Sequence, residues 1–352
     1  MRRRPSRHLL SSLVLSVAAV ALVGCGDSSS SSSKTTAAKS AAAAQVTVPA
    51  SIPKGVTLRV GDQLDYLKTV LNLSAQDKDF GYTVEYSAFI GGPPMLQAFQ
   101  AGAIDTGFVG STPLIFAQAQ QQDIVAIAGF APQHSGYGLV TSPGSKIKGW
   151  KDLEGKKVAY QQGTAGEAAL LQALDTAGLK LADITPVNVP QTQVSATLQS
   201  GSADAGISVE PLTSTYLAAN PTAALVARPD ELTDRSSFII ATKSAIENTG
   251  TQAALADYLT RLAKGFNYLA SHPDQIADAV YVKQYHLSPE RAKELITAAG
   301  FSGFFTLPGD ILEPQQRLAD LFYANGEIPS KVDVTSQFDP RFNDVVQKAQ
   351  AT

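Results

Sequence analysis

Ala98-Phe99-Gln100-Ala101-Gly102-Ala103-Ile104-Asp105-Thr106-Gly107 leads into Phe108-Val109-Gly110-Ser111-Thr112-Pro113, and the same grammar returns further along the chain. The second copy reads Thr197-Leu198-Gln199-Ser200-Gly201-Ser202-Ala203-Asp204-Ala205-Gly206, then Ile207-Ser208-Val209-Glu210-Pro211. Each copy reads as a helix ended by glycine, a turn carrying aspartate, a short buried strand, and a break ending in proline. Proline is well placed in the first turn of a following helix. Such turns occur in any α/β domain. Glycine, aspartate and glycine at identical spacing in both copies indicate two equivalent lobes.

Strand-like segments surround both copies. Residues 56–60 and 82–86 alternate apolar and polar, and 106–109 and 124–128 follow, with helix-length stretches between them. A second series begins near Leu139 and continues at 157–160, 185–189 and 205–209. Strands alternating with helices predict largely parallel sheets covered on both faces. After 236–240 the texture turns helical: Leu255, Leu259, Leu262, Phe266 and Leu269 step by four and three, one apolar face for the core. Trp150 is expected in the core of the second lobe beside Leu153.

Ligands of such lobes bind at the carboxyl ends of the strands. Three loops there open helices. Gly91-Gly92-Pro93-Pro94 opens one, Gly110-Ser111-Thr112-Pro113 the next, with Thr112 as the expected N-cap. Gln162-Gly163-Thr164-Ala165-Gly166-Glu167 opens the third, where Thr164 and Glu167 have capping-box spacing. Helix starts carry unpaired N–H groups and partial positive charge. Several facing one cleft predict a site for a small anion that needs no arginine or lysine.

The chain begins Met1-Arg2-Arg3-Arg4-Pro5-Ser6-Arg7, continues with an apolar run over 9–23, and reaches Cys25, its one cysteine. That order describes a signal peptide over 1–24, and Leu22-Val23-Gly24-Cys25 looks like a bacterial lipobox that lipidates Cys25. The apolar run is short for a membrane span. Four of the 28 basic residues leave with residues 1–24, so 24 remain against 31 acidic, a net charge near −7. That balance argues against nucleic acid and against electrostatic membrane binding. His134, His272 and His286 lack ligand-like spacing, so neither a metal nor another cofactor is expected. Residues 25–55, rich in serine and alanine, read as a flexible tether, with order beginning near Val56.

From about Val56 to Ser244 the chain resembles the solute-binding proteins of ABC importers of the sulfonate/nitrate/taurine type. Phe89-Ile90-Gly91-Gly92-Pro93, Leu96 to Asp105, Gly110-Ser111-Thr112-Pro113, Asp152-Leu153-Glu154-Gly155-Lys156-Lys157-Val158-Ala159, Gly163-Thr164 and Gly201-Ser202-Ala203-Asp204-Ala205 carry the resemblance. It implies a two-lobed, periplasmic-binding-protein-like fold of type II, with the ligand cleft between the lobes and C-terminal helices returning to the first. The boundaries implied are lobe 1 over 56–138, lobe 2 over 139–240, and the return over 241–352. Also implied are a small anionic or zwitterionic solute, a monomer exported and lipid-anchored on the outer side of the membrane, and a permease with its ATPase as partners. The expected ligand residues are Gln63, Leu64, Gly91, Gly92, Pro93, Ser111, Thr112, Tyr137, Gln162, Gly163, Thr164, Ala165 and Glu210.

Several positions depart from the family pattern. Relatives often carry an aromatic-acidic-proline triplet where this chain has Val209-Glu210-Pro211, so that aromatic wall is absent. Glu210 is either a solvated loop carboxylate or a cleft residue; in the cleft it would favour a zwitterion over a simple anion. Ser111 replaces an acidic residue common in that loop. His134 and Tyr137 either touch ligand or pack at a hinge, and Arg235 reads as a surface charge rather than an anion clamp. Phe89 and Tyr137 are candidates for an apolar lining. An enzyme of this fold would need a cysteine-rich motif or a nucleophile–base pair, and the mature chain has neither. A ligand-sensing surface protein would use the same cleft as an import protein.

Overall fold

Both copies of the repeated motif are built the same way, and the reason for each repeated residue is visible. The computed structural model describes residues 45–49, 51–131, 136–227, 236–300 and 303–351, all within one unit. Cys25, residues 1–24, His134 and Arg235 lie outside them. Helix Gly92–Gln100 ends with Gly102 at φ 66°, its N–H on Phe99 O at 2.9 Å and the next N–H, of Ala103, on Ala98 O at 2.9 Å. Helix Gln191–Gln199 ends with Gly201 at φ 70°, with Gly201 N–H on Leu198 O at 3.1 Å and Ser202 N–H on Thr197 O at 3.0 Å. This double closure needs a left-handed residue, hence glycine. Each aspartate then ties the helix end to a strand. Asp105 accepts the Arg59 N–H at 2.9 Å, and Asp204 accepts the Lys157 N–H at 2.8 Å.

The first sheet collects β1 (Thr57–Gln63), β2 (Thr83–Phe89), β3 (Thr106–Gly110) and β4 (Ile124–Phe130). The second collects β5 (Tyr137–Thr141), β6 (Lys157–Tyr160), β7 (Thr185–Asn188), β8 (Ala205–Val209) and β9 (Leu225–Ala227). The chain then returns through β10 (Ser237–Thr242) and β11 (Phe304–Phe305) to the first. The orders are β11-β4-β10-β3-β1-β2 and β7-β6-β8-β5-β9. The fold is therefore the two-lobed, periplasmic-binding-protein-like one.

The expectation of largely parallel sheets needs correction. Pairing is parallel for β1 with β2 and β3, and for β6 with β7 and β8. It is antiparallel for β10 with β3 and β4, for β11 with β4, and for β5 with β8 and β9. The cause is directional. β1, β3, β4 and β8 all end toward the space between the sheets, and a strand entering a lobe from that space must run against them.

The main core joins β1, β4 and β10 to helix Tyr66–Leu73, helix Thr249–Ser271 and helix Asn343–Gln350. Leu255, Leu259, Leu262, Phe266 and Leu269 are all buried in it, as their spacing predicts. Trp150 packs partly buried in the second lobe's core, which includes Leu153. Order reaches back before Val56: Val46 is buried in the main core and its N–H donates to Arg341 O at 2.7 Å. A valine with somewhere apolar to go does not stay in a tether. Helix Leu312–Ala324 does more than return to lobe 1. Leu318, Ala319 and Phe322 pack with Ile115 of helix Ser111–Ala119 and with Ala168 and Leu171 of helix Ala165–Thr176.

Candidate functional site

A cavity of about 330 Å³ opens where the carboxyl ends of β1, β3, β4 and β8 meet the start of β10. Its floor is aromatic. Tyr66, Phe108, Phe130 and Phe266 form a closed ring of contacts, with centroids 5.9 Å (Tyr66–Phe108), 5.7 Å (Phe108–Phe130), 4.9 Å (Phe130–Phe266) and 5.9 Å (Phe266–Tyr66) apart. Rings at these tilts and distances attract beyond their buried area. Val280 and Tyr281, from the π-helical stretch Ala277–Val282, and Tyr285 form another wall. Gln63, Ser237 and Glu210 add polar groups. Burial, then the charges of Glu210 and Tyr285, push the Tyr281 hydroxyl up to about 12, so it stays a neutral O–H donor near neutral pH. Gln63 Nε2 donates to Phe108 O at 2.7 Å, which fixes its side chain across the sheet edge.

Leu64, at the edge of the cavity, and the Asp65 that follows it both adopt left-handed conformations, with φ of 57° and 54°. Such geometry in non-glycine residues is costly and clusters where chains clamp ligands. The helix that follows is already capped. Asp62, fully buried, accepts the N–H groups of Leu67 at 3.0 Å and Lys68 at 2.9 Å. Burial raises its pKa to about 6 against the pull of those bonds.

Glu210 faces the cavity, yet it is not an isolated charge. Ser214 donates to it through N–H (3.1 Å) and Oγ (2.6 Å), and the Arg291 guanidinium lies 3.6 Å away. Arg291 also donates to Ser214 Oγ from Nε at 3.1 Å and Nη2 at 2.9 Å. Arginine, serine and glutamate thus form one unit, and the bias toward a zwitterion expected of a bare Glu210 is largely neutralised.

The expected ligand residues fall into two groups. Gln63, Leu64 and Glu210 line the cavity. The others do not line it, and among them Gly91, Pro93 and Gly163 come close to the opposite lobe. A Cβ on Gly163 would meet Pro93 Cγ at 3.4 Å, one on Gly91 would meet Gln161 Nε2 at 3.8 Å, and one on Gly92 would strike Pro113 Cγ at 2.4 Å. Ser111, Thr112 and Thr164 are buried. Ser111 N–H and Oγ both donate to Ser236 O. Tyr137 lies against Gly166, with its ring carbon 3.1 Å from where a Cβ would be, and packs in the second lobe's core. Phe89 packs instead against a first-lobe cluster. Gln162 pairs with Asn188 and donates to Glu327 Oε2 at 2.6 Å, and Ala165 is the first residue of its helix.

Two capping expectations are corrected. Gly110, not Thr112, caps its helix; Thr112 lies inside the first turn, fully buried, its Oγ1 without a hydrogen-bond partner. Thr164 is at the cap position but its Oγ1 donates back to Gln161 O at 2.7 Å, while Glu167 accepts the Gly163 N–H at 2.8 Å. Gly163 precedes the cap, so the reciprocal box does not close.

The aromatic wall missing beside Glu210 is thus replaced from other elements. Phe266 belongs to a stripe whose period reads as core, and it serves both purposes. Tyr281 and Tyr285, four residues apart, were the available signal for an aromatic helical wall. Among the described residues there is no acidic or histidine cluster able to hold a metal, and no helix long and apolar enough to cross a membrane.

Residues 78–276 match the family described as NMT1/THI5 like. A putative aliphatic sulfonates-binding protein of Escherichia coli (strain K12) is 32% identical over 289 residues, covering 79% of this chain and 86% of that protein. The crystal structure of the periplasmic aliphatic sulphonate binding protein SsuA from Escherichia coli matches with a TM-score of 0.70 at 30% identity, over 81% of this chain and 92% of that one. The alkanesulfonate-binding protein SsuA from Xanthomonas axonopodis pv. citri, bound to MOPS, shares the fold with a TM-score of 0.73 at 24% identity, over 82% and 99%. These relatives are binding proteins, not enzymes. The chain belongs to the NMT1/THI5-like family, among its solute-binding proteins of the sulfonate type.

Proposed function

We propose that this chain captures organosulfonates with an apolar body between its lobes and delivers them to an ABC permease. The carrying observation is the cavity itself, to which both lobes and the C-terminal helices contribute. Its four-ring floor suits a hydrocarbon chain or ring, while the hydroxyls of Tyr281, Tyr285 and Ser237 offer donors to a sulfonate. The E. coli relative, by name an aliphatic sulfonates-binding protein, supports that class. The helix starts around Gly91, Ser111 and Thr164 contribute dipoles and closing contacts rather than the apolar grip.

A floor of this kind rewards each methylene placed on it by about 0.8 kcal/mol, or about fourfold in affinity. Calorimetric titration of the mature chain with linear alkanesulfonates of rising length therefore gives a falling Kd until the cavity is full. MOPS binds, and taurine and nitrate bind weakest. Nitrate or taurine as the tightest ligand would sink this reading.

Export and tethering complete it, supported by the basic start, the apolar run and Cys25. Two acyl chains on Cys25 would hold the protein to the membrane firmly. A Cys25→Ser chain is expected in the soluble fraction of fractionated cells; recovery with the membrane would rule the anchor out.

A further inference from the structure

Helix Ala165–Thr176 of the second lobe is held against the C-terminal segment by more than apolar contact. Glu167, in its first turn, is fully buried. One carboxylate oxygen takes the Gly163 N–H at 2.8 Å, while the other, Oε1, receives no donor from the protein. The neighbouring acid is Glu327, which follows helix Leu312–Ala324 and accepts a bond from Gln162 Nε2 at 2.6 Å. Ionising a fully buried carboxylate beside a second, half-buried one is unfavourable, because burial and like charge both oppose it. One proton between them supplies the donor that Oε1 lacks.

Other titratable groups do not supply that donor. Tyr160 on β6 faces both acids, and burial and their charges push its own hydroxyl up. Helix Ser111–Ala119 carries no charged residue. On helix Leu312–Ala324, Glu313 pairs with Arg317, Asp320 accepts from Gln316, and Tyr323 lies under Lys331.

We propose that Glu167 and Glu327 form a proton-dependent latch that fastens the second lobe to the C-terminal helix bridging it to the first. With the shared proton the latch holds; without it, two negative charges push the lobe away from the bridge. Burial first, and Glu327 as well, raise the Glu167 pKa to about 8 in the latched form. An unlatched, solvated carboxyl would titrate at about 4. Latching is therefore strongest in mild acid, weakens as pH rises through that window, and is weakest above it. The device is independent of which solute the cavity takes.

Small-angle scattering of the mature chain without added solute, from about pH 5 to about pH 9, reads lobe separation directly. The expected result is a rise in radius of gyration toward alkaline pH. Glu327→Gln, which keeps a hydrogen-bonding side chain and removes one charge, should abolish that rise and stay closed throughout. Glu167→Gln should do the same if it folds; Glu327 is only half-buried, so its variant carries the test alone if it does not. A radius constant in the wild type, or rising equally in Glu327→Gln, would overturn the latch. Loss of sulfonate binding with the pH response intact would instead count against the ligand assignment alone.

Discussion

The first strand–helix turn of each lobe buries one carboxylate, and the two sites differ in how many donors surround it. In lobe 1, Asp62 sits at the end of β1 and collects the N–H groups that open helix Tyr66–Leu73. In lobe 2, Glu167 sits inside the helix and reaches back to one N–H, that of Gly163. Both are shielded from water, and burial is the largest cause of the raised pKa at both. Asp62 rises to about 6 and Glu167 to about 8. Backbone donors at a helix start stabilise the charged form. Where a second carboxyl replaces them, the proton stays. Equivalent turns thus become a fixed cap in one lobe and a titrating contact in the other.

The largest effect that would sharpen this contrast is on stability against pH. Both folded pKa values lie above those of the unfolded chain, which releases its protons first as pH rises. Stability is therefore fully present below about pH 4, and falls as pH rises through about 6 for Asp62 and about 8 for Glu167. A tenfold change in proton affinity is worth about 1.4 kcal/mol, so by the end of its window Asp62 removes on the order of 3 kcal/mol and Glu167 on the order of 5 kcal/mol. Denaturant midpoints measured across this range should show Asp62→Asn removing the acidic part of the slope and Glu167→Gln the neutral part. A slope unchanged in both variants would break the comparison.

Much of the fold was legible because its local rules are strict. Gly102 and Gly201 are demanded by left-handed closures, and Asp105 and Asp204 by exposed strand N–H groups, so the motif could be read without neighbours. The insertion of β10 between β3 and β4 could not, because pairing partners distant in sequence leave no local trace. The site was less legible. Gln63, Leu64 and Glu210 follow from the rule that strand ends face the cleft. Phe108, Phe130 and Phe266 look like core residues in sequence because they are core residues, exposed on one side to the cavity. Arg291 gave no signal at all, since its partnership with Glu210 depends on a helix that returns from the far end of the chain.

Smaller effects test whether the lobes are equally tight around the repeated glycines. In lobe 1, β1 and β3 pair glycine with glycine, Gly61 with Gly107; in lobe 2, β6 and β8 pair Ala159 with Gly206. A Cβ on Gly107 would lie 2.8 Å from Gly61 O and 2.9 Å from Met95 Sδ, so backbone must move. On Gly206 it would lie 3.0 Å from Val194 Cγ1 and 3.1 Å from Ala159 O, a tight fit with small adjustments. On Gly61 the nearest atom, at 2.7 Å, is Ile104 Cδ1, the far end of a flexible side chain. Overpacking costs of about 1–3 kcal/mol are set against the smaller gain from stiffening the unfolded chain. Gly107→Ala should therefore destabilise by about 3 kcal/mol, Gly206→Ala by about 1 kcal/mol, and Gly61→Ala by less. Denaturant midpoints in that order would mean that lobe 1 is the tighter of the two repeats, held by backbone against backbone. The reverse order for Gly107 and Gly206 would mean that β1 can shift away from β3, and that the glycine–glycine pair serves conformational freedom rather than close approach.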